Sequence, residues 1–279
     1  MILIPPGQRW AALAAMAKFR YPWARPLSCK VPLMRHAFPR ERETRRALAR
    51  FVQSAPRLRI DGRFRRFEAA FARVQGRDEA VIFNSGAIAN LALIQALKNL
   101  GRLRTADRVG FSAVTWSTNV MPIIQLGLVP AAIDCSPRTL NTMSEDIAAR
   151  LCRTPLKALF ITNALGFTGD LPAIRALARR RGLILLEDNC ESLGTVLPEG
   201  RSGNFGLAST SSFFVGHHMS TIEGGMACTN DTDLADMLRI VRANGWDRNL
   251  APGRQRRWRR RFNIREFDAM NLGSATSQV

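Results

Sequence analysis

Between residues 80 and 190 the chain alternates short, unbroken apolar runs with stretches of helical periodicity, and this alternation constrains the fold more than any other feature. AVIF (80–83) leads into GAIANLALIQALKNLG, RVGFSA (108–113) precedes WSTNVMPIIQLG, and LVPAAID (128–134) precedes SEDIAARLC. ALFIT (158–162) is followed after a loop by LPAIRALARRRG, and LILLE (183–187) comes at once. Unbroken apolar strands suit a sheet covered on both faces, and strands alternating with helices read as βαβ units. The expected fold is therefore α/β, a mainly parallel sheet with helices on both sides. In the first of these helices, apolar residues at 88, 91, 94 and 97 predict the buried stripe.

Upstream, residues 41–54 and 63–75 read as amphipathic helices that pack on the main domain or on a partner subunit. The expected division is an N-terminal segment of uncertain structure (1–40), a large ligand-binding domain (41–250), and a basic segment (251–279). No internal repeat is evident. With 279 residues and 46% apolar composition, the chain can bury a sizeable core. The net charge is +19, and with only four lysines (Lys18, Lys30, Lys98, Lys157) nearly all of it is arginine. The arginines form no single amphipathic stripe, so the plain reading is solvated surface, the alternative being nucleic acid or an acidic membrane. The run RQRRWRRRF (254–262) reads either as a solvated helix face or as a contact for acidic substrate groups or nucleic acid.

Five cysteines (29, 135, 152, 190, 228) contain no C-x-x-C pair, which argues against a zinc ribbon or a disulfide framework. The start, MILIPPGQRWAALAAMAKFRYPW, is broken by two prolines and carries arginine, unlike a secretory signal or a membrane span. A cytoplasmic location is expected.

Ligands of open α/β sheets sit beyond the carboxyl ends of the strands. After the first strand stands Asn84-Ser85-Gly86-Ala87, where small residues opening a helix offer backbone N–H groups and a helix dipole to a phosphate. Many such helices bind nothing. After the second strand comes Trp116, a face for a planar ligand or a piece of core. Asp188 follows LILLE; it is either a costly buried carboxylate or a helix N-cap. Ser211, Ser212 and the pair His217-His218 then precede Glu223-Gly224-Gly225 and a further strand, MACT. The histidine pair has no third histidine or cysteine set nearby to make a metal site. A phosphate cradle, a flat aromatic, a buried carboxylate and a histidine together suit pyridoxal phosphate, whose pyridine nitrogen an Asp holds protonated.

The segments NSGAIAN, VTWSTNVMPIIQLGLVP, ILLEDNCESLG, NFG and SSFFVGHHMSTIEGGMACTND resemble the motifs of the DegT/DnrJ/EryC1 sugar aminotransferase family over roughly residues 45 to 250. The resemblance implies the type I (aspartate aminotransferase) fold and a homodimer. It makes Gly86, Ala87 and Ser212 phosphate ligands, Trp116 the residue beside the ring, Asp188 the pyridinium partner, and Glu191 the neighbour of the ring hydroxyl. Ordinary members have at position 217 the lysine that anchors the cofactor covalently, whereas here stands His217. That exchange, within GHHMSTIEGGM, is similar to the subgroup of 3-dehydratases acting on nucleotide-linked 4-keto-6-deoxyhexoses, which use pyridoxamine 5′-phosphate. The resemblance then implies C3 dehydration in deoxysugar biosynthesis of the O-antigen or lipopolysaccharide type. His217 is the general base at the cofactor's C4′ methylene, and His218 orients or packs. GDP- and CDP-linked substrates both stay open.

Two subtypes are known within this resemblance, one recharged by glutamate and one coupled to a reductase through an iron–sulfur cluster. No cysteine follows Cys228 to suggest the cluster. Family members continue past residue 279 into a smaller C-terminal domain, and FDAMNLG stands where they show a GFN-x-R type segment supplying Asn and Arg to the site. The expectation is a large domain with the small domain mostly missing. The chain then reads as a truncated gene product, a fragment completed by another chain, or a repurposed scaffold. The corresponding alternatives to catalysis are an inactive remnant and an aminotransferase-like binding protein.

Overall fold

The computed structural model describes residues 38, 40–56, 58 and 62–263. The N-terminal segment before residue 38 and the FDAMNLG segment (267–273) lie outside the described residues. In chain order the main elements are α1 (Glu41–Ser54), α2 (Gly62–Gln75), β1 (Glu79–Phe83), α3 (Gly86–Asn99), β2 (Arg108–Ser112), α4 (Ser117–Gln125) and β3 (Val129–Ile133). Next are α5 (Ser144–Arg153), β4 (Ala158–Thr162), α6 (Leu171–Arg181) and β5 (Ile184–Asp188). A short hairpin of β6 (Val196–Leu197) and β7 (Gly200–Arg201) leads to β8 (Ala208–Ser212), β9 (Gly225–Thr229), α7 (Thr232–Arg242) and α8 (Pro252–Arg261).

Seven strands form one sheet in the order β1-β9-β8-β5-β4-β2-β3. The pairs β2–β3, β2–β4, β4–β5 and β5–β8 are parallel, and β9 runs against both β1 and β8. Strand alternation sends successive side chains to opposite faces, which is why the first four residues of β4, ALFI, are all apolar. Ala158 and Phe160 enter a core shared with α3, α4 and α7, while Leu159 and Ile161 enter a second core under α5 and α6. All four are fully buried, and burying a side chain the size of Phe160 or Leu159 contributes roughly 1.5–3 kcal/mol. A third cluster, Phe71, Ala80, Phe213 and Met226, seats α2 on the β1–β9 end of the sheet.

The expected alternation stands, with four departures. Helix α3 buries Ala89, Ala92, Leu93, Ile94, Ala96 and Leu97, a face far wider than the 88/91/94/97 stripe, and Ile88 is 39% exposed at its first turn. Strand β8, ASTSS, is buried at every position although four of its five residues are polar. Helix α7 follows MACT directly, capped by Asp231, whose carboxylate accepts the Leu234 N–H at 2.9 Å. Finally, the arginine run is helical but not merely solvated. Arg254 pairs with Asp236, Arg259 with Asp247, and both Arg257 and Arg261 with Asp233. Trp258 between them is fully buried and donates its indole N–H to Asp236 at 3.0 Å.

Candidate active site

The loops at the carboxyl ends of β1, β2, β5 and β8 converge, and all seven residues singled out in the sequence stand on them or open the helices that follow. Helix α3 begins at Gly86 because Ser85 caps it, its hydroxyl accepting the Ile88 N–H at 3.2 Å. The N–H groups of Gly86 and Ala87, in the same turn, have no hydrogen-bond partner among the described residues. Gly86 sits where no side chain fits: a Cβ there would lie 2.7 Å from Ser212 Cβ and 3.2 Å from Cys190 Sγ. Gly225, paired with Ser212 across β8–β9, presses equally closely, since its Cβ would fall 2.2 Å from the Ser85 carbonyl oxygen. Gly86, Ser212 and Cys190 are thereby brought together from three separate elements. Burial, with the Asp188 and Glu191 carboxylates nearby, pushes the Cys190 thiol well above its usual range, so it stays protonated.

Asp188 ends β5 and is 4% exposed. It caps no helix. Its Oδ2 accepts the side-chain N–H groups of Asn90 at 3.0 Å and Asn119 at 2.8 Å, and its Oδ1 accepts the Cys190 backbone N–H at 2.9 Å. Among the described residues no arginine or lysine pairs with it, so neutral dipoles alone offset a buried carboxylate, an expensive arrangement. Asn90 and Asn119 escaped the sequence reading. They stand in the segments NSGAIAN and VTWSTNVMPIIQLGLVP, four residues into α3 and on the first turn of α4, with no local pattern to set them apart from amides such as the buried Asn99. Their own Oδ1 atoms are buried without partners, at a cost of about 1–3 kcal/mol each.

Trp116 opens α4 and is 62% exposed, so it is not core filling. Its indole N–H donates to Glu191 Oε1 at 2.8 Å, and Glu191 Oε2 accepts the Leu165 N–H at 2.8 Å. Leu165 holds this contact with φ of +56°, a left-handed conformation that costs about 1–2 kcal/mol for a residue with a side chain.

His217 lies half-buried in the turn after β8, its N–H bonded to the Phe214 carbonyl at 2.9 Å and its ring edge-on to Phe214. Burial pushes the imidazole below its usual value of 6.5, the Glu191 and Asp188 carboxylates oppose this, and His218 adds to it. The neutral ring that results is a proton acceptor, and the Glu191 and Asp188 carboxylates favour the cation it would become. His218 is exposed and makes no hydrogen bond among the described residues, so nothing there has it packing or orienting.

The profile of the DegT/DnrJ/EryC1/StrS aminotransferase family matches residues 39–270. A GDP-4-keto-6-deoxy-D-mannose 3-dehydratase of Escherichia coli is 38% identical over 188 residues, covering 67% of this chain and 48% of the relative. A dTDP-4-dehydro-2,6-dideoxy-D-glucose 3-dehydratase of Saccharopolyspora spinosa is 35% identical over 218 residues, covering 76% and 47%. Among solved structures, the E. coli GDP-4-keto-6-deoxy-D-mannose-3-dehydratase with bound hydrated PLP superposes with a TM-score of 0.73 at 34% identity, covering 80% of this chain and 57% of that one. The chain thus spans about half the length of the curated relatives it matches. Matched in sequence from residue 39 to 270 and in fold across its seven-stranded sheet, this chain belongs to the DegT/DnrJ/EryC1/StrS aminotransferase family.

Proposed function

We propose that this chain binds pyridoxamine 5′-phosphate, or its pyridoxal form, and uses it in the C3 dehydration of a nucleotide-linked 4-keto-6-deoxyhexose, with His217 as general base. The observation that carries the reading is Asp188: a buried carboxylate held by three neutral N–H groups and paired with no cation among the described residues. Such a site is completed by a cationic ring nitrogen. The donor set around it fits the remaining parts of that cofactor. The N–H groups of Gly86 and Ala87, with the Ser212 hydroxyl, suit a phosphate at a helix N-terminus. Trp116 offers the ring a face, and Glu191 fixes that indole.

When bound, the cofactor supplies an amine for the sugar's C4 ketone and a protonated ring that takes up electrons. His217, neutral at pH 7, takes the proton from the cofactor's methylene carbon and can return it. Asp188 keeps the ring nitrogen protonated by standing as its hydrogen-bond acceptor. A lysine at 217 would tie the cofactor covalently and favour amine transfer; imidazole leaves the cofactor's amine free for the sugar. The names of the relatives carry both GDP and dTDP, and the proposal extends to the sugar part alone. Two copies forming a homodimer, as the family resemblance implies, belong to the same reading.

Titration of the purified chain with pyridoxamine 5′-phosphate, followed by absorbance and calorimetry, tests it directly. Saturable binding is expected, and His217→Asn keeps that binding while turnover of a GDP- or dTDP-linked 4-keto-6-deoxy sugar falls by about 10²–10⁴-fold. Failure to bind at millimolar cofactor would sink the reading.

A further inference from the structure

Asn90 and Asn119 sit on different helices, α3 and α4, and both spend an amide N–H on the same oxygen of Asp188. Asn90 spends its amide nitrogen twice, donating also to the Thr118 carbonyl at 3.2 Å. That bond ties the second turn of α3 to the first turn of α4, one residue before Asn119. The two amides are 1% and 0% exposed, and both of their oxygens are orphaned. Asn163 Oδ1 and Thr210 Oγ1 are likewise unpaired, but only the two asparagines share one carboxylate oxygen, and orphaned buried oxygens call for a reason. Turning either amide over would aim its oxygen at the carboxylate, setting like partial charges against each other. The orientation that leaves two oxygens unpaired is the one in which Asp188 Oδ2 is served by two donors.

An ionised carboxylate has about four acceptor sites, two on each oxygen. Oδ2 fills both of its own with the asparagines, and Oδ1 has given one to the Cys190 N–H. We propose that Asn90 and Asn119 are positioning residues that commit Oδ2 and thereby leave Oδ1 as the oxygen that accepts the ring N–H of a pyridoxal-type cofactor. The inference rests on the cofactor reading above and gives a role to two residues that lie inside the motif segments NSGAIAN and VTWSTNVMPIIQLGLVP but to which the resemblance assigned none. It also links the parts of the site mechanically. The helices that carry the clamp are those whose first turns present Gly86, Ala87 and Trp116, so the acceptor for the ring nitrogen is held in register with the phosphate cradle and the aromatic face.

The test separates ring-nitrogen recognition from phosphate binding. Dissociation constants are measured for pyridoxamine 5′-phosphate and for its 1-deaza analogue, in which carbon replaces the ring nitrogen. The proteins compared are the wild type, Asn90→Ala, Asn119→Ala and the isosteric Asn119→Asp, each checked for native circular dichroism. The wild type should prefer the parent compound by about 10- to 100-fold, the value of a hydrogen bond to a charged group. In the variants the preference should collapse to within about threefold while affinity for the analogue changes little. A wild-type preference retained in all three variants overturns the inference. Asn119→Asp keeps the shape of the side chain, so it decides the matter if the alanine variants do not fold. Should the wild type bind neither compound, the cofactor reading fails by itself. The clamp is then judged from crystal structures of the unliganded variants: a rotated Asp188 carboxylate supports it, and both oxygens unmoved overturn it.

Discussion

At the scale of single residues, His217 is where sequence and electrostatics meet. Its pKa lies below 6.5 because burial outweighs the two carboxylates that favour the cation. The sign matters for a base: lowering the pKa enlarges the neutral, proton-accepting fraction at pH 7 and carries the loss of activity to more acid pH. The profile of kcat/KM is therefore expected to be flat through neutrality and to fall on the acid side with a midpoint below 6.5. His218 contributes to the lowering, so His218→Asn should move that midpoint upward without abolishing turnover. A limb centred above 6.5 in the wild type, or unmoved when His218 is replaced, would remove His217 from the role. The residues at strand ends were legible from sequence because a polar or glycine position directly after an apolar run announces itself. Asn90 and Asn119 were not, because what defines them is Asp188, distant by 98 and 69 residues, and no local pattern records such a partner.

At the scale of elements, the parallel strands and their crossover helices were readable because both sheet faces demand apolar side chains there. Strand β8 was invisible for a physical reason: it is central yet built of ASTSS, small residues that leave room where the loops of the site close in. The loop that feeds it is held by charge instead of apolar packing. Glu187, fully buried, accepts the N–H groups of Gly203 at 2.8 Å and of Phe205 and Gly206 at 2.7 Å. Arg77 grips the carbonyl oxygens of Gly203 and Gly206 from the other side, both at 2.8 Å, and burial lowers its pKa against the pull of Glu187. Glu187→Gln turns an acceptor-only group into one whose NH2 must face backbone N–H donors. It should cost about 3–5 kcal/mol, as when one partner of a buried charged network is removed. Urea unfolding measures this, and a loss under about 1 kcal/mol would show that the loop is held by its glycine turns alone. Helix α8 carries the same lesson, since its arginines looked solvated until the acids of α7 and Asp247 were seen beneath them.

At the scale of the whole molecule, part of the positive charge of the described residues gathers at one edge of the sheet. The candidate site lies at the carboxyl edge of the parallel strands, where Asp188 and Glu191 stand. The opposite edge, where β2, β4 and β5 begin, carries Arg108, Arg153, Lys157 and Arg179 to Arg181, all exposed and none paired with a carboxylate among the described residues. Basic residues in the last turns of α5 and α6 also complement the helix dipoles, which accounts for their placement without any partner. A row of guanidinium groups in water nevertheless attracts any polyanion by releasing counterions, with no sequence preference. The chain should therefore bind duplex DNA weakly and with a steep salt dependence, and that binding should reside at this edge. Replacing Arg179, Arg180 and Arg181 by Gln should lower the slope of log K against log salt by up to about 3, at roughly 0.9 per lost phosphate contact. The same triple variant should bind pyridoxamine 5′-phosphate with unchanged affinity, because the two edges are separated by the length of the strands. A slope left intact would place the contact elsewhere on the surface. Loss of cofactor affinity in the triple variant would show instead that the arginine edge and the cofactor site are coupled through β5, the strand that runs from α6 to Asp188.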